Sequence, residues 1–405
     1  VKSSTRIILV IVVLALIPAV VKLQALIDPQ RAQFQPGKGV GSMITQVGKS
    51  PVILPSQFVA GTVIGLREVV AGLLWVRAND FFHSGNYEAI VPLTRIVTWL
   101  DPHQIDVYRV GAWHLAYNFT DTAQHADRRY LIPAITFEKE GVDNNPHVSD
   151  LEFDLGFVLY SMKAYQFDKA LYWTKRGASE KDAMLPMHRQ IAHAYEKCGR
   201  IEDALKQWQH CIQEGQDLLK KDPKDFRARD HYQVSKRNYD LMLVRKSLRE
   251  DLNKHPIDVG FEGGFKRLGP RRFKISGKIN LPDATRINVQ LADDDYEEHD
   301  LSKFSWDVDP NETALYDLGI HGIFTENGQF SRVWDVTKDT KQYPFKKDKY
   351  TLILTFNPRM APDFVQDNVG WSGEGITDKK YLDTKTNPGV RMVRKVIHLE
   401  RKDII

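Results

Sequence analysis

A helical hairpin that recurs four times between residues 66 and 225 constrains this 405-residue chain more than any other feature. "LLWVRANDFFHSG" sets Trp75, Ala78, Phe81 and Phe82 at helical spacing, and "YEAIVPLTRIVTWL" follows and stops at Asp101-Pro102. "VYRVGAWHLAYNF" with "RRYLIPAITFEKEG" leads to Asn145-Pro146, and "LGFVLYSMKAYQFDKALYW" leads to Leu185-Pro186. "IAHAYEKCGRIEDALKQWQHCI" then runs to Asp222-Pro223. Ala170 and Ala204, in corresponding second helices, lie 34 residues apart. One hairpin of this size cannot bury its apolar face alone. Three or more stacked hairpins share a continuous core, so the segment is expected to fold as an array.

The period, with its Leu-Gly, Ala-Tyr, Gly and Asp-Pro punctuation, resembles the tetratricopeptide repeat (TPR) family. That resemblance covers about residues 66–225 and implies paired helices stacked into a superhelix, with glycine and alanine where helices approach and aromatics between units. Trp75, Tyr160, Phe167 and Trp208 then read as packing residues. The third unit places Leu155-Gly156 two residues early. "GLREVVAGLLWVRANDFF" with "TWLDPHQIDVYRVGAWHLAYNF" is similar to membrane-anchored bacterial repeat proteins without an assigned activity. In such arrays the first helix of each unit lines the concave surface, which here offers Arg77, Asp80, His83, Arg109, Trp113 and Tyr117 as the partner-binding set. Arginine, tryptophan and tyrosine are the side chains that protein contacts favour. The lysine and asparagine pattern with which co-chaperone repeats clamp a terminal carboxylate does not map onto these positions.

Ahead of the array, Lys2 and Arg6 precede an apolar run from Ile7 to Val21 that resumes after Lys22 and reaches Ile27. A lysine near a helix end can snorkel, so residues 7–27 are long enough to span a bilayer of roughly 20 residues' depth. No Ala-x-Ala site follows, and residues 1–27 are therefore expected to be a retained transmembrane signal anchor, single-pass in the cytoplasmic membrane with the bulk of the chain periplasmic. Residues 28–65, rich in Gly, Gln, Ser and Pro before apolar residues return, read as a linker and capping segment.

Beyond Pro223 a long helix carries the densest positive charge, with Arg227, Arg229, Lys236, Arg237, Arg245, Lys246 and Arg249 interspersed with acids. It reads as a solvated capping helix that closes a repeat domain over 66–255. From about residue 256 the texture alternates. Phe273, Ile275, Gly277, Ile279 and Leu281, then Ile287, Val289 and Leu291, flank "PDAT" as a turn. Asn327-Gly328 is a hairpin signal, Tyr350, Leu352, Leu354 and Phe356 alternate, and "GVRMVRKVIHLE" is a final strand. The order is similar to immunoglobulin-like or transthyretin-like accessory domains, which implies an antiparallel β-sandwich over 256–405.

Chemical motifs are scarce. In "GWSGEG" Glu374 stands where a nucleophile elbow needs its second glycine, and no zincin, P-loop or dinucleotide fingerprint occurs. His188 and His193 are five apart, off the shared face of a helical metal pair, and "DDDYEEHD" lacks the spacing and glycine of a calcium loop. Cys198 and Cys211 read as small buried residues. With 56 basic against 52 acidic residues the formal charge is +4, which is no nucleic-acid signature.

The expectation is a multidomain α + β protein: transmembrane helix, α-helical repeat solenoid and antiparallel β-sandwich. No catalytic, cofactor or metal site is expected. Its function would be that of a membrane-anchored protein-protein interaction scaffold or accessory subunit of a bacterial cell-envelope complex. The alternative is a glycan- or peptide-binding module, with exposed Trp334 and Trp371 as its contacts and the repeats as spacer.

Overall fold

The computed structural model of the chain describes residues 66–84, 89–118, 130–296, 315–317, 322–338, 340 and 343–405. The anchor expected at 1–27 and the linker at 28–65 lie outside the described residues. Among those described, no helix is long and apolar enough to cross a membrane.

Four antiparallel helix pairs follow one another: α1 (Arg67–His83) with α2 (Ile90–Leu100), α3 (Ile105–Trp113) with α4 (Leu131–Asn144), α5 (Ser149–Asp154) with α6 (Phe167–Ser179), and α7 (Leu185–Lys197) with α8 (Ile201–Lys221). α2, α4 and α8 stop just before Asp101-Pro102, Asn145-Pro146 and Asp222-Pro223. Leu185-Pro186 behaves differently from the expectation. α6 already ends at Ser179, and Pro186 sits in the first turn of α7, where its missing N–H costs nothing.

Close approach within a pair depends on glycine. A Cβ at Gly177 would stand 2.8 Å from the Phe153 nitrogen and the Ser149 oxygen, both backbone atoms of α5. Tyr108, Phe137, Leu151, Leu155 and Tyr160 fill one buried cluster running through the first three pairs, and Trp208 is fully buried where α7 and α8 meet the following helix.

α3 and α5 do not end as ordinary helices. Both continue into π-helical turns, His114–Asn118 and Leu155–Ser161. In the second, Met162 and Ala164 donate to carbonyls five residues back, Phe157 and Leu159. The wide turn accommodates the early Leu155-Gly156 of the third unit.

Asp225 caps α9 (Phe226–Arg249), accepting from the backbone nitrogens of Arg227 and Ala228 at 2.8 and 3.2 Å. α9 packs along α8 and also touches α7, as the first helix of a further unit would. It is not wholly solvated: its C-terminal turn is docked on the β region. The Arg249 side chain is 1% exposed; its Nε donates to Asp367 at 3.0 Å and its two terminal nitrogens to Gln366 and the Asp363 carbonyl. Its guanidinium lies 4.4 Å from the Trp371 ring centroid. Arg245 adds an ion pair to Asp363 at 2.6 Å, and the Lys197 ammonium donates to the Arg359 carbonyl at 2.9 Å.

The β region contains β1 (Ile257–Asp258), β2 (Glu262–Gly269), β3 (Arg272–Lys278), β4 (Arg286–Asp293), β5 (Leu315–Asp317), β6 (Ile323–Phe324), β7 (Gln329–Asp335), β8 (Lys349–Phe356), β9 (Ile376–Thr377), β10 (Leu382–Asp383) and β11 (Met392–Glu400). One antiparallel sheet runs β10-β11-β8-β4-β5 with β6 also beside β4, and a second runs β2-β3-β7. A two-stranded parallel ladder joins β1 to β9. Both antiparallel sheets contribute to one core, in which Tyr350, Leu352, Leu354 and Phe356 of β8 are fully buried against Phe273, Ile275 and Phe330. Each such side chain stabilises the fold by roughly 1.5–3 kcal/mol.

The "PDAT" turn does not close a hairpin, because β3 pairs with β2 and β7 while β4 pairs with β8, β5 and β6. It carries the chain from one sheet to the other. Asn327-Gly328 is a tight turn, with φ of 52° and 69° that favour these residues. A short helix, α10 (Asp363–Val369), follows β8 and carries the residues that receive Arg249.

Candidate binding face and a buried polar cluster

The first helices α1, α3 and α5 are neighbours, and their adjoining ends build an aromatic ledge. Trp113, at the end of α3, is 41% exposed. Tyr117, one turn further along, stacks on it with centroids 5.5 Å apart and planes 16° apart. His114 meets Trp113 edge-on at 5.3 Å, and Phe82 from α1 lies 4.8 Å from His114. His83 borders the ledge, 5.4 Å from Phe82. From beyond the π-helical turn of the third unit, Lys163 places its ammonium 3.6 Å over the Tyr117 ring, a cation–π contact that fixes both groups.

His114 is the buried support of this ledge. Burial pushes its pKa down to about 4, and the Asn118 amide donates to its Nδ1 at 2.6 Å. The ring is therefore neutral with its proton on Nε2.

The six residues singled out from the sequence divide three ways. Trp113, Tyr117 and His83 belong to the ledge. Arg77 and Asp80 lie on an exposed turn of α1, where they pair at 3.6 Å and the Arg77 guanidinium sits 4.6 Å from the Phe81 ring. Arg109 is engaged within the array. Its Nε donates to Asp154 at 2.6 Å and its Nη1 to Asp150 at 2.9 Å, so it ties α3 to α5. The i, i+4 spacing of those aspartates presents both carboxylates to one guanidinium. Glu138 is buried nearby, and burial, reinforced by the Asp154 charge, holds its carboxyl well above the usual range.

A second polar cluster joins α7, α8 and α9. Glu214 receives His188 Nδ1 at 2.9 Å and His231 Nε2 at 3.0 Å. Against the cost of burial, these two hydrogen bonds hold the Glu214 carboxyl down at about 2. Cys211, one helical turn before Glu214, is buried, and burial pushes its thiol up to about 12. The ligand-capable atoms of Cys211, Glu214 and His231 all lie within 4.8 Å of one another. No metal-ligand spacing marks them in the sequence, because they come from two helices. The visible signal is Cys-x-x-Glu on one face of α8.

The two tryptophans offered as ligand contacts of the β region are not free to serve. Trp334 is 8% exposed and stacks on Phe273, and Trp371 lies beneath Arg249. Ser372 of "GWSGEG" accepts a hydrogen bond from Arg359 Nε at 3.0 Å. That loop is part of the junction with the helices.

No family model matches the chain, and no curated protein matches it. Several solved structures resemble its helical part. A thermophilic TPR protein of Thermus thermophilus aligns over 44% of this chain and 91% of its own, with 21% identity and a TM-score of 0.30. MamA protein aligns over 45% and 93%, with 13% identity and a TM-score of 0.29. YrrB, described as a TPR protein with an unusual peptide-binding site, aligns over 44% and 80%, with 17% identity and a TM-score of 0.26. The helical half is a paired-helix array by virtue of its own packing.

Proposed function

We propose that this chain is a protein-binding scaffold, an accessory subunit of a bacterial cell-envelope assembly. Residues 7–27 anchor it in the cytoplasmic membrane, and the array and β region lie outside the cytoplasm. Its role is binding rather than catalysis. The observation that carries the reading is the ledge of Trp113 and Tyr117, with a large indole held open to solvent by neighbours that fix its orientation. A rigid, exposed aromatic loses little conformational freedom on binding, which is why such groups dominate contact energies. Support for the anchor is the apolar run Ile7–Ile27 in the sequence.

The test is affinity capture of the intact chain from mild detergent, with mass spectrometry of retained proteins, beside Trp113→Ala and a form lacking residues 1–50. Stoichiometric partners retained by the intact chain and lost from Trp113→Ala are expected. Equal retention by both refutes the ledge as the contact. Recovery of the intact chain in the soluble fraction without detergent refutes the anchor.

A further inference from the structure

The cluster between α8 and α9 has a composition that a hydrogen-bonded staple does not require. We propose that Cys211, Glu214 and His231 together bind one zinc-class divalent ion, with His188 positioning the Glu214 carboxylate.

Three observations lead there. First, the donors are a sulfur, a carboxylate oxygen and an imidazole nitrogen, all within 4.8 Å of one another. A thiolate and an imidazole beside one carboxylate suit zinc rather than magnesium or calcium, which take oxygen alone. Second, the positions are built by rigid elements: Cys211 and Glu214 are one turn apart on α8 and His231 comes from α9. Third, His231 is 1% exposed and its Nε2 already lies 3.0 Å from Glu214, so the ring is held in place beside the other two donors.

The site also has an entrance. Cys211 and His231 are closed off, whereas the Glu214 and His188 side chains are 22% and 21% exposed. His188 holds Glu214 through both carboxylate oxygens at 2.9 Å, the kind of outer contact that orients a ligand. On binding, the Cys211 thiol gives its proton to solvent and the sulfur joins the ion as thiolate. Glu214 joins as carboxylate and His231 through an unprotonated ring nitrogen. Three protein ligands leave a fourth tetrahedral position for water.

The test is a titration of the chelator-treated full chain with Co(II), followed by displacement with Zn(II). One equivalent of cobalt should give the near-ultraviolet thiolate-to-cobalt charge-transfer band together with tetrahedral visible bands, and zinc should bleach both. Cys211→Ser, nearly isosteric, should abolish the charge-transfer band, while Cys198→Ser should keep it. His188→Gln should keep the band with affinity weakened about 10- to 100-fold. Absence of the band at stoichiometric cobalt overturns the proposal, as does a band that survives Cys211→Ser. Far-ultraviolet circular dichroism confirms that each variant is folded.

Discussion

Arg249 joins the helical array to the β region, and its removal has a calculable consequence. In Arg249→Met the volume is roughly kept while the charge is lost. Asp367 is left without the guanidinium at 3.0 Å, and the Gln366 oxygen and the Asp363 carbonyl each lose a donor. Trp371 loses the cation over its ring, worth about 1–2 kcal/mol. Breaking a buried ion pair by deleting one partner costs about 3–5 kcal/mol in all. The Asp367 side chain is 34% exposed, so water recovers part of that, and the net loss should be about 2–4 kcal/mol. Urea unfolding followed in parallel by far-ultraviolet circular dichroism and tryptophan fluorescence reads both the loss and its cooperativity. The wild-type transitions should coincide, and those of Arg249→Met should separate, because the helices no longer share the fate of the sheets. A double-mutant cycle with Asp367→Asn should show a coupling of about 1–3 kcal/mol. Lys246, one turn earlier and paired with Glu202, is the control, and Lys246→Met should move neither transition. A loss below about 1 kcal/mol with coincident transitions, or additivity with Asp367→Asn, would refute the assignment of Arg249 as the joint.

His114 should make stability rise with pH between about 4 and 6.5. Its folded pKa lies below the unfolded value, so the unfolded chain takes up the proton in that window, and up to about 3 kcal/mol present above 6.5 is lost as the pH falls through it. His114→Gln should flatten the pH dependence of the urea midpoint, and an imidazole resonance titrating above 6 would contradict the account. Gly177→Ala and Gly72→Ala should have opposite signs in thermal melts. The first forces a Cβ against α5 backbone and should cost about 1–3 kcal/mol, while the second meets nothing within 4 Å and should gain up to about 1 kcal/mol. Asp225→Ala should cost about 1 kcal/mol through its lost cap, read by the same melts.

The paired helices were legible because proline and glycine act locally. Asp101-Pro102, Asn145-Pro146 and Asp222-Pro223 end helices whatever lies beside them, whereas Leu185-Pro186 shows that the same residue tolerates the first turn of the next helix. Alternation located β8 for a similar reason. It could not say which strands pair, since register and sheet membership depend on contacts far along the chain, and β2, with its three glycines, carries little alternation. Within the candidate site, Trp113 and Tyr117 could be placed on one face from their spacing alone. Arg109 could not be recognised as engaged, because Asp150 and Asp154 approach it only when units stack. The Cys211, Glu214 and His231 cluster was hidden in the same way. Its members fall on two helices, and the second reads in sequence as a solvated cap.

The passage from α9 to the sheets has a mechanical consequence. Arg249 is fixed on α10, and Ile257, a few residues later, is already paired with Ile376 of β9. The intervening chain, residues 250–256, is too short to act as a swivel. Torque applied to the array is therefore passed to the β region through this joint, and a partner bound at the proposed Trp113 ledge would be carried at a set angle to the sheets. A load on one half becomes a rotation of the other, as with two arms of a single lever.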